Sequence, residues 1–387
     1  MDDEPRIVGA LGAPAVGHLD ATGRVELDDV TLEWRVGAED HWHDPHRDAG
    51  VRQDRLTPAP AYETRVRIPS GDAVQRVYGA PGRDGGAYVV VDVENASPAP
   101  FALALVLRAK PARRATSISL DRSTVVVGDR PALVLPKPPM RWATAEGATG
   151  TAEIVTSGAA REGPFETVRA PGAEAAFIFP VAHRTSVRVA LALDRRVEPS
   201  PDVLEQLPPL DAVQRGWLAQ LDRAMRVEIP GALQPRVDAA RATLLLQAGT
   251  NRPDARTMVD LEDWGFDDEV AAAWHRAKTK ERRVAAHRTA GAGNVLEEVR
   301  DVLLRDRGDE VALLPGFPDD WVGQSVTVHD APTRAGRVSF AVRWHGERPA
   351  LLWDAPANLT LRAPVLDPSW SVAGGEGEAL LAPWKPA

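Results

Sequence analysis

The chain has no cysteine. That excludes disulfides, thiolate metal sites and a cysteine nucleophile. It has no excess of positive charge either: 46 Lys and Arg against 55 Asp and Glu give a net charge of −9. Nucleic-acid and anionic-membrane partners need a basic face, so neither is expected. No apolar run approaches the ~18 residues of a membrane span. The N-terminus, MDDEPRIVGALG, carries acids where a signal peptide needs a basic region, so the expected location is cytoplasmic. No Ser-His-Asp order, nucleophile elbow or phosphate loop is visible, and no cofactor is implied. Phe and Tyr are scarce, 7 and 3, yet there are 11 Trp. Indole faces stack on the C–H face of a pyranose, although most Trp in folded proteins are core residues.

What is present falls into three regions, and 387 residues suffice for two or three domains with real cores. Residues 1–198 read as β. Val30, Leu32, Trp34 and Val36 alternate with mostly polar neighbours, the period of a half-buried strand. Similar runs at 62–68, 74–78, 88–93, 101–108, 124–127, 154–156, 175–179 and 187–193 are separated by Gly, Pro, Asn and Asp. About ten such strands predict a large antiparallel sandwich. The run from Tyr88, the turn Asn95-Ala96-Ser97-Pro98 and the run from Phe101 read as a hairpin.

Residues 199–310 begin with a proline-rich linker and continue as about four helices. Val213, Trp217, Leu221 and Met225 form one stripe, and Val237, Ala240, Leu244 and Leu245 a second. Asp267-Asp268-Glu269 opens a third helix. Asn294 with Glu297 makes a capping-box-like start to a fourth. Residues 311–387 return to short strands near 325–329, 337–344, 350–353, 359–362 and 370–372.

The stretch 303–323 joins these last two regions. A leucine-rich helix end is followed by a charged turn, a short strand, Leu314-Pro315-Gly316 and then Trp321. That order resembles the junction in six-hairpin glycosidases, where the helical barrel passes into a C-terminal β-sandwich. The clan includes α-L-rhamnosidases, glucoamylase-like and glycogen-debranching enzymes. The segment Thr333 to Val342 resembles the sandwich strand after the junction, and the 88–107 region is similar to part of their N-terminal supersandwich. The resemblance implies a multidomain α and β chain: a large antiparallel β-supersandwich, an abbreviated α-helical region (a partial α/α barrel) and a small C-terminal β-sandwich. A closed ring of six hairpins needs well over ~200 residues, and this span has about half. Its uncovered apolar faces are expected to pack on the N-terminal sandwich or form a homodimer, or to meet a partner enzyme.

Two clusters are candidate sites. In 260–266, Trp264 is read as a sugar platform on a loop, with Glu262 or Asp263 as general acid; a solvated flank of the next helix explains the same acids. No family catalytic motif occurs here. In 40–48, three Asp and three His fall within nine residues. If 38–43 is extended, His41 and His43 point the same way, and with His46 they make a metal-ligand set. Otherwise the segment is a polar loop, or a sugar-contacting loop using Trp42, His43 and Asp40.

Three functions follow. The chain is a reduced, non-catalytic relative that binds carbohydrate or supports a partner enzyme. Alternatively it is an active glycoside hydrolase using a carboxylate acid/base pair, or a structural or regulatory protein without a sugar ligand.

Overall fold

The computed structural model describes residues 6–111, 115–146, 150–250, 253–278, 281 and 294–384. The chain forms two compact units, Met1–Gln214 and Arg215–Ala387.

The first unit holds an eight-stranded and a nine-stranded sheet, antiparallel throughout. They face each other across one apolar cluster. Trp34, Leu103, Leu105, Leu107, Phe177 and Phe179 come from one sheet; Val77, Val89, Val91, Leu133 and Leu191 come from the other. The alternation read at Val30–Gly37 holds, with Val30, Leu32, Trp34 and Val36 all buried. Phe101–Ala109 is apolar without a break from 101 to 107 because both faces of that stretch are covered. Its odd positions enter the main cluster, and Ala104 and Val106 lie beneath a second, small cluster.

Two expectations are corrected here. Residues 154–156, read as strand, belong to the helix Thr151–Thr156, whose Val155 closes that small cluster. Ala87–Asn95 and Phe101–Ala109 are not a hairpin. The first pairs within the nine-stranded sheet, the second within the eight-stranded one, and the turn between them crosses from sheet to sheet. Asn95 holds that crossing. Its buried side-chain amide donates to the carbonyls of Ala99 and Val181 and accepts from Ser97.

In the second unit the helix Leu233–Gly249 is buried on most sides and touches the helices Ala255–Trp264, Asp267–Arg276 and Val295–Leu303. Its stretch 241–246 is buried without a break, as suits the helix at the centre of such a group. The stripe Val213, Trp217, Leu221 and Met225 is buried as expected, but its helix, Leu210–Leu221, ends earlier because Arg226–Glu228 is a strand. Asn294 caps Val295–Leu303 by accepting from the Glu297 amide at 3.0 Å.

The C-terminal strands, expected as a small sandwich of short pieces, are longer and belong to one seven-stranded sheet. Asp367–Leu380 lies along one edge of Arg348–Ala363. The other edge is shared, with 339–345 beside 348–354 and Glu310–Leu313 parallel to 360–362. Pairing shifts between Ala355 and Thr360, so one long hairpin joins two sets of strands.

The junction motif is a packing device. The Leu314 amide donates to the Leu303 carbonyl at 2.8 Å, and Leu314 is fully buried. A Cβ on Gly316 would sit 3.1 Å from Val302 Cα. Phe317 meets the buried Trp321 edge-on at 6.1 Å. No helix among the described residues is long and apolar enough to cross a membrane.

Candidate functional site

Glu262 and Asp263 lie in the last turn of Ala255–Trp264, which is a helix and not the expected loop. Asp254 caps it by accepting from the Thr257 amide at 2.7 Å, and Gly265 ends it at φ +76°. Such a left-handed cap favours glycine. Ala255, Met258, Leu261 and Trp264 recur every third position and all are buried. That stripe, with an acidic cap before it and Gly after it, is the signal in the sequence that would have identified a helix.

The consequence for Trp264 is decisive. It is 1% exposed, so its indole face is not open to a sugar. The expected platform is a core residue. The Arg241 guanidinium sits over its ring at 5.7 Å. Arg241 is itself buried, and burial pushes its pKa down to about 10.

Glu262 and Asp263 do line a cleft of about 460 Å³. Arg300, Asp301, Leu304, Arg305, Asp306, Pro332, Thr333 and Arg334 complete its wall. Arg300 braces it: Nε donates to the Asp263 carbonyl at 2.9 Å and Nη2 to the Pro332 carbonyl at 3.0 Å. The Asp306 carboxylate accepts from the amides of Gly308 and Arg334, which fixes the turn. Asp301, Arg305 and Arg334 are exposed. Trp274, half-buried on the neighbouring helix, donates its indole N–H to Glu262 at 3.3 Å. Trp274 lies on the helix that Asp267-Asp268-Glu269 opens, and nothing in its spacing sets it beside Glu262.

Behind the cleft, Asp260 is 6% exposed. It accepts from Arg256 Nε at 3.1 Å and Asn294 Nδ2 at 2.7 Å. Burial pushes its carboxyl above the ordinary carboxylate range despite these donors.

The second cluster lies in the N-terminal unit. Val30–Gly37 and Trp42–His43 pair antiparallel around a turn closed by the Ala38 amide on the His41 carbonyl. Only 42–43 is strand, so 38–43 is not extended as supposed. His41 and His43 nevertheless lie side by side, ring centroids 4.1 Å apart. His43 is buried, with Nε2 at 3.1 Å from Asp40 and Nδ1 at 3.2 Å from Asp48. His41 Nδ1 is 3.0 Å from Asp40. Desolvation opposes it, but hydrogen bonds from His43 and the His41 backbone hold the Asp40 carboxyl below its usual range. His46 is not part of this group; it lies against Thr22, at 3.1 Å from the hydroxyl. The turn after Pro45 carries it there. Trp42 is half-buried over Gly37, where any Cβ would meet the indole at 2.9 Å.

No protein-family model matches the chain, and no curated protein matches it. Among solved structures, the family GH92 inverting mannosidase of Bacteroides thetaiotaomicron VPI-5482 is similar over 64% of this chain and 37% of its own, at 10% identity and a TM-score of 0.35. The present chain therefore spans little more than a third of that enzyme's length.

Proposed function

We propose that the chain is a reduced relative of the six-hairpin glycosidases that binds carbohydrate in the cleft of the C-terminal unit without cleaving it. One observation carries the reading: Glu262, Asp263, Asp301 and Asp306 share one 460 Å³ cleft with Arg300, Arg305 and Arg334. Carboxylates accept and guanidinium forks donate, which suits the vicinal hydroxyls of a neutral sugar. In this reading residues 1–198 correspond to the clan's supersandwich, 199–310 to a remnant of its helical ring, and 311–387 to its C-terminal sandwich. The helical remnant is where a homodimer or a partner enzyme would dock.

Binding without turnover is favoured by geometry. Glycoside cleavage sets two carboxyls on opposite sides of the bond, and Glu262 and Asp263 are consecutive residues of one helix. A base on the far wall would come from Asp301 or from Asp306, whose oxygens already accept two amides. Asp301, Arg305 and Arg334 in the lining are exposed, and a cleft open to water on that side excludes it poorly.

The test is calorimetric titration of the whole chain with a panel of neutral oligosaccharides, beside an assay on the matching aryl-glycosides. The expected result is saturable binding with no aglycone released. Glu262→Gln and Arg305→Ala should each weaken binding at least tenfold, since a charge-assisted hydrogen bond contributes ~1.5–3 kcal/mol. Turnover that vanishes in Glu262→Gln would replace this reading with an active hydrolase. Absence of binding across the panel would reject it.

A further inference from the structure

The N-terminal unit carries a second group of side chains that the carbohydrate reading does not use. Among the described residues, Asp40, His41 and His43 bring one carboxylate oxygen and two imidazole nitrogens within 4.8 Å of one another. We propose that Asp40, His41 Nδ1 and His43 Nε2 form a binding site for a zinc-class divalent cation, with Asp48 orienting His43.

The local fold explains how four residues meet. The turn closed by Ala38 and His41 returns the chain beside Val30–Gly37 and brings Asp40 over His43. A second turn follows Pro45, where the amides of Arg47 and Asp48 both donate to the Asp44 carbonyl. That turn delivers Asp48 to the other side of the same imidazole. Arg35 pairs with Asp44 at 2.5 Å and ties this turn to the sheet.

The contacts have the layout of a metal site. When the Asp48 contact holds the proton on Nδ1, Nε2 presents a lone pair beside Asp40. A cation between Nε2 and the Asp40 oxygen 3.1 Å away would satisfy both atoms. Zinc–ligand bonds of about 2.0–2.1 Å give a tetrahedron with edges of roughly 3.3 Å. His43 Nε2 is 3.1 Å from Asp40 Oδ1 and His41 Nδ1 is 3.0 Å from Asp40 Oδ2, each close to that edge, so each imidazole has a carboxylate oxygen at ligand spacing. A carboxylate behind a ligating imidazole is the usual outer partner, fixing tautomer and ring orientation. Two imidazoles and one carboxylate, with no thiolate, suit zinc and its first-row neighbours better than calcium or magnesium. The His41 and Asp40 side chains are 59% and 41% exposed, so the fourth coordination position opens to solvent.

The probe is zinc chloride, titrated into the untagged full-length chain, with metal content measured after dialysis. One zinc per chain is expected. His41→Ala and Asp40→Asn should each weaken uptake at least tenfold, and His41→Ala, at an exposed side chain, should leave the melting of the metal-free protein unchanged. Asp48→Asn should cost about tenfold through the outer contact alone, and His46→Ala should leave uptake unchanged. No stoichiometric zinc, or zinc retained when Asp40→Asn and His41→Ala are combined, would overturn the site. Loss in His46→Ala with retention in His41→Ala would overturn this ligand set in favour of one built on His46.

Discussion

Trp264→Ala is expected to destabilise the C-terminal unit by ~3–5 kcal/mol, the cost of deleting a large aromatic from a packed core. The side chain is 1% exposed and ends the helix Ala255–Trp264, and its carbonyl accepts from the Met225 amide at 2.9 Å. Arg241 also rests on the Phe266 ring at 5.9 Å, so losing the indole removes one of the two rings over a buried guanidinium. Urea unfolding would measure the loss. The sugar-platform role expected from sequence makes the opposite prediction: weaker glycan binding at unchanged stability. Trp274→Ala should behave in that second way. Its indole is half-buried and hydrogen-bonded to Glu262, so truncation should reduce oligosaccharide binding more than it reduces stability. A folded, stable Trp264→Ala protein would contradict the packing described here.

The contrast between these two tryptophans marks the limit of sequence reading. Period two at Val30–Gly37 and the four-residue stripe from Val213 to Met225 report burial directly, because one apolar face must be covered. The cap at Asn294 is equally local. Which sheet a strand joins is not local. The crossing at Asn95 depends on carbonyls at 99 and 181, so its turn residues look like those of any hairpin. The helix at Ala255–Trp264 was hidden by Glu262-Asp263-Trp264-Gly265, which imitates a loop when read without the three-residue apolar repeat before it. At the two candidate sites, residue types were legible and partners were not. Glu262 and Asp263 reach a cleft whose other wall comes from 300–306 and 332–334. His41 and His43 meet Asp40, while His46, equally near in sequence, goes to Thr22.

Asp260→Ala is expected to cost about 2 kcal/mol, because it leaves the Asn294 amide and one side of Arg256 without their buried acceptor. Arg256 keeps Glu297 at 2.5 Å, which holds the loss below that of a fully isolated buried charge. Asp260→Asn should cost less, since it retains an acceptor and sheds the desolvated charge. The pH dependence separates the two effects. Burial raises the folded pKa of Asp260 above its unfolded value, so the folded state holds this proton more tightly. Between the ordinary Asp value near ~3.9 and the raised folded one, the Asp260 contribution to stability falls as pH rises. Wild type should therefore lose ground to Asp260→Asn across that window and run parallel to it at higher pH. Urea midpoints from pH 4 to 8 would record the divergence. Parallel curves throughout would mean that Arg256 and Asn294 fully offset the burial of the carboxylate, and the region behind the cleft would then be held by a balanced ion pair instead of a strained one.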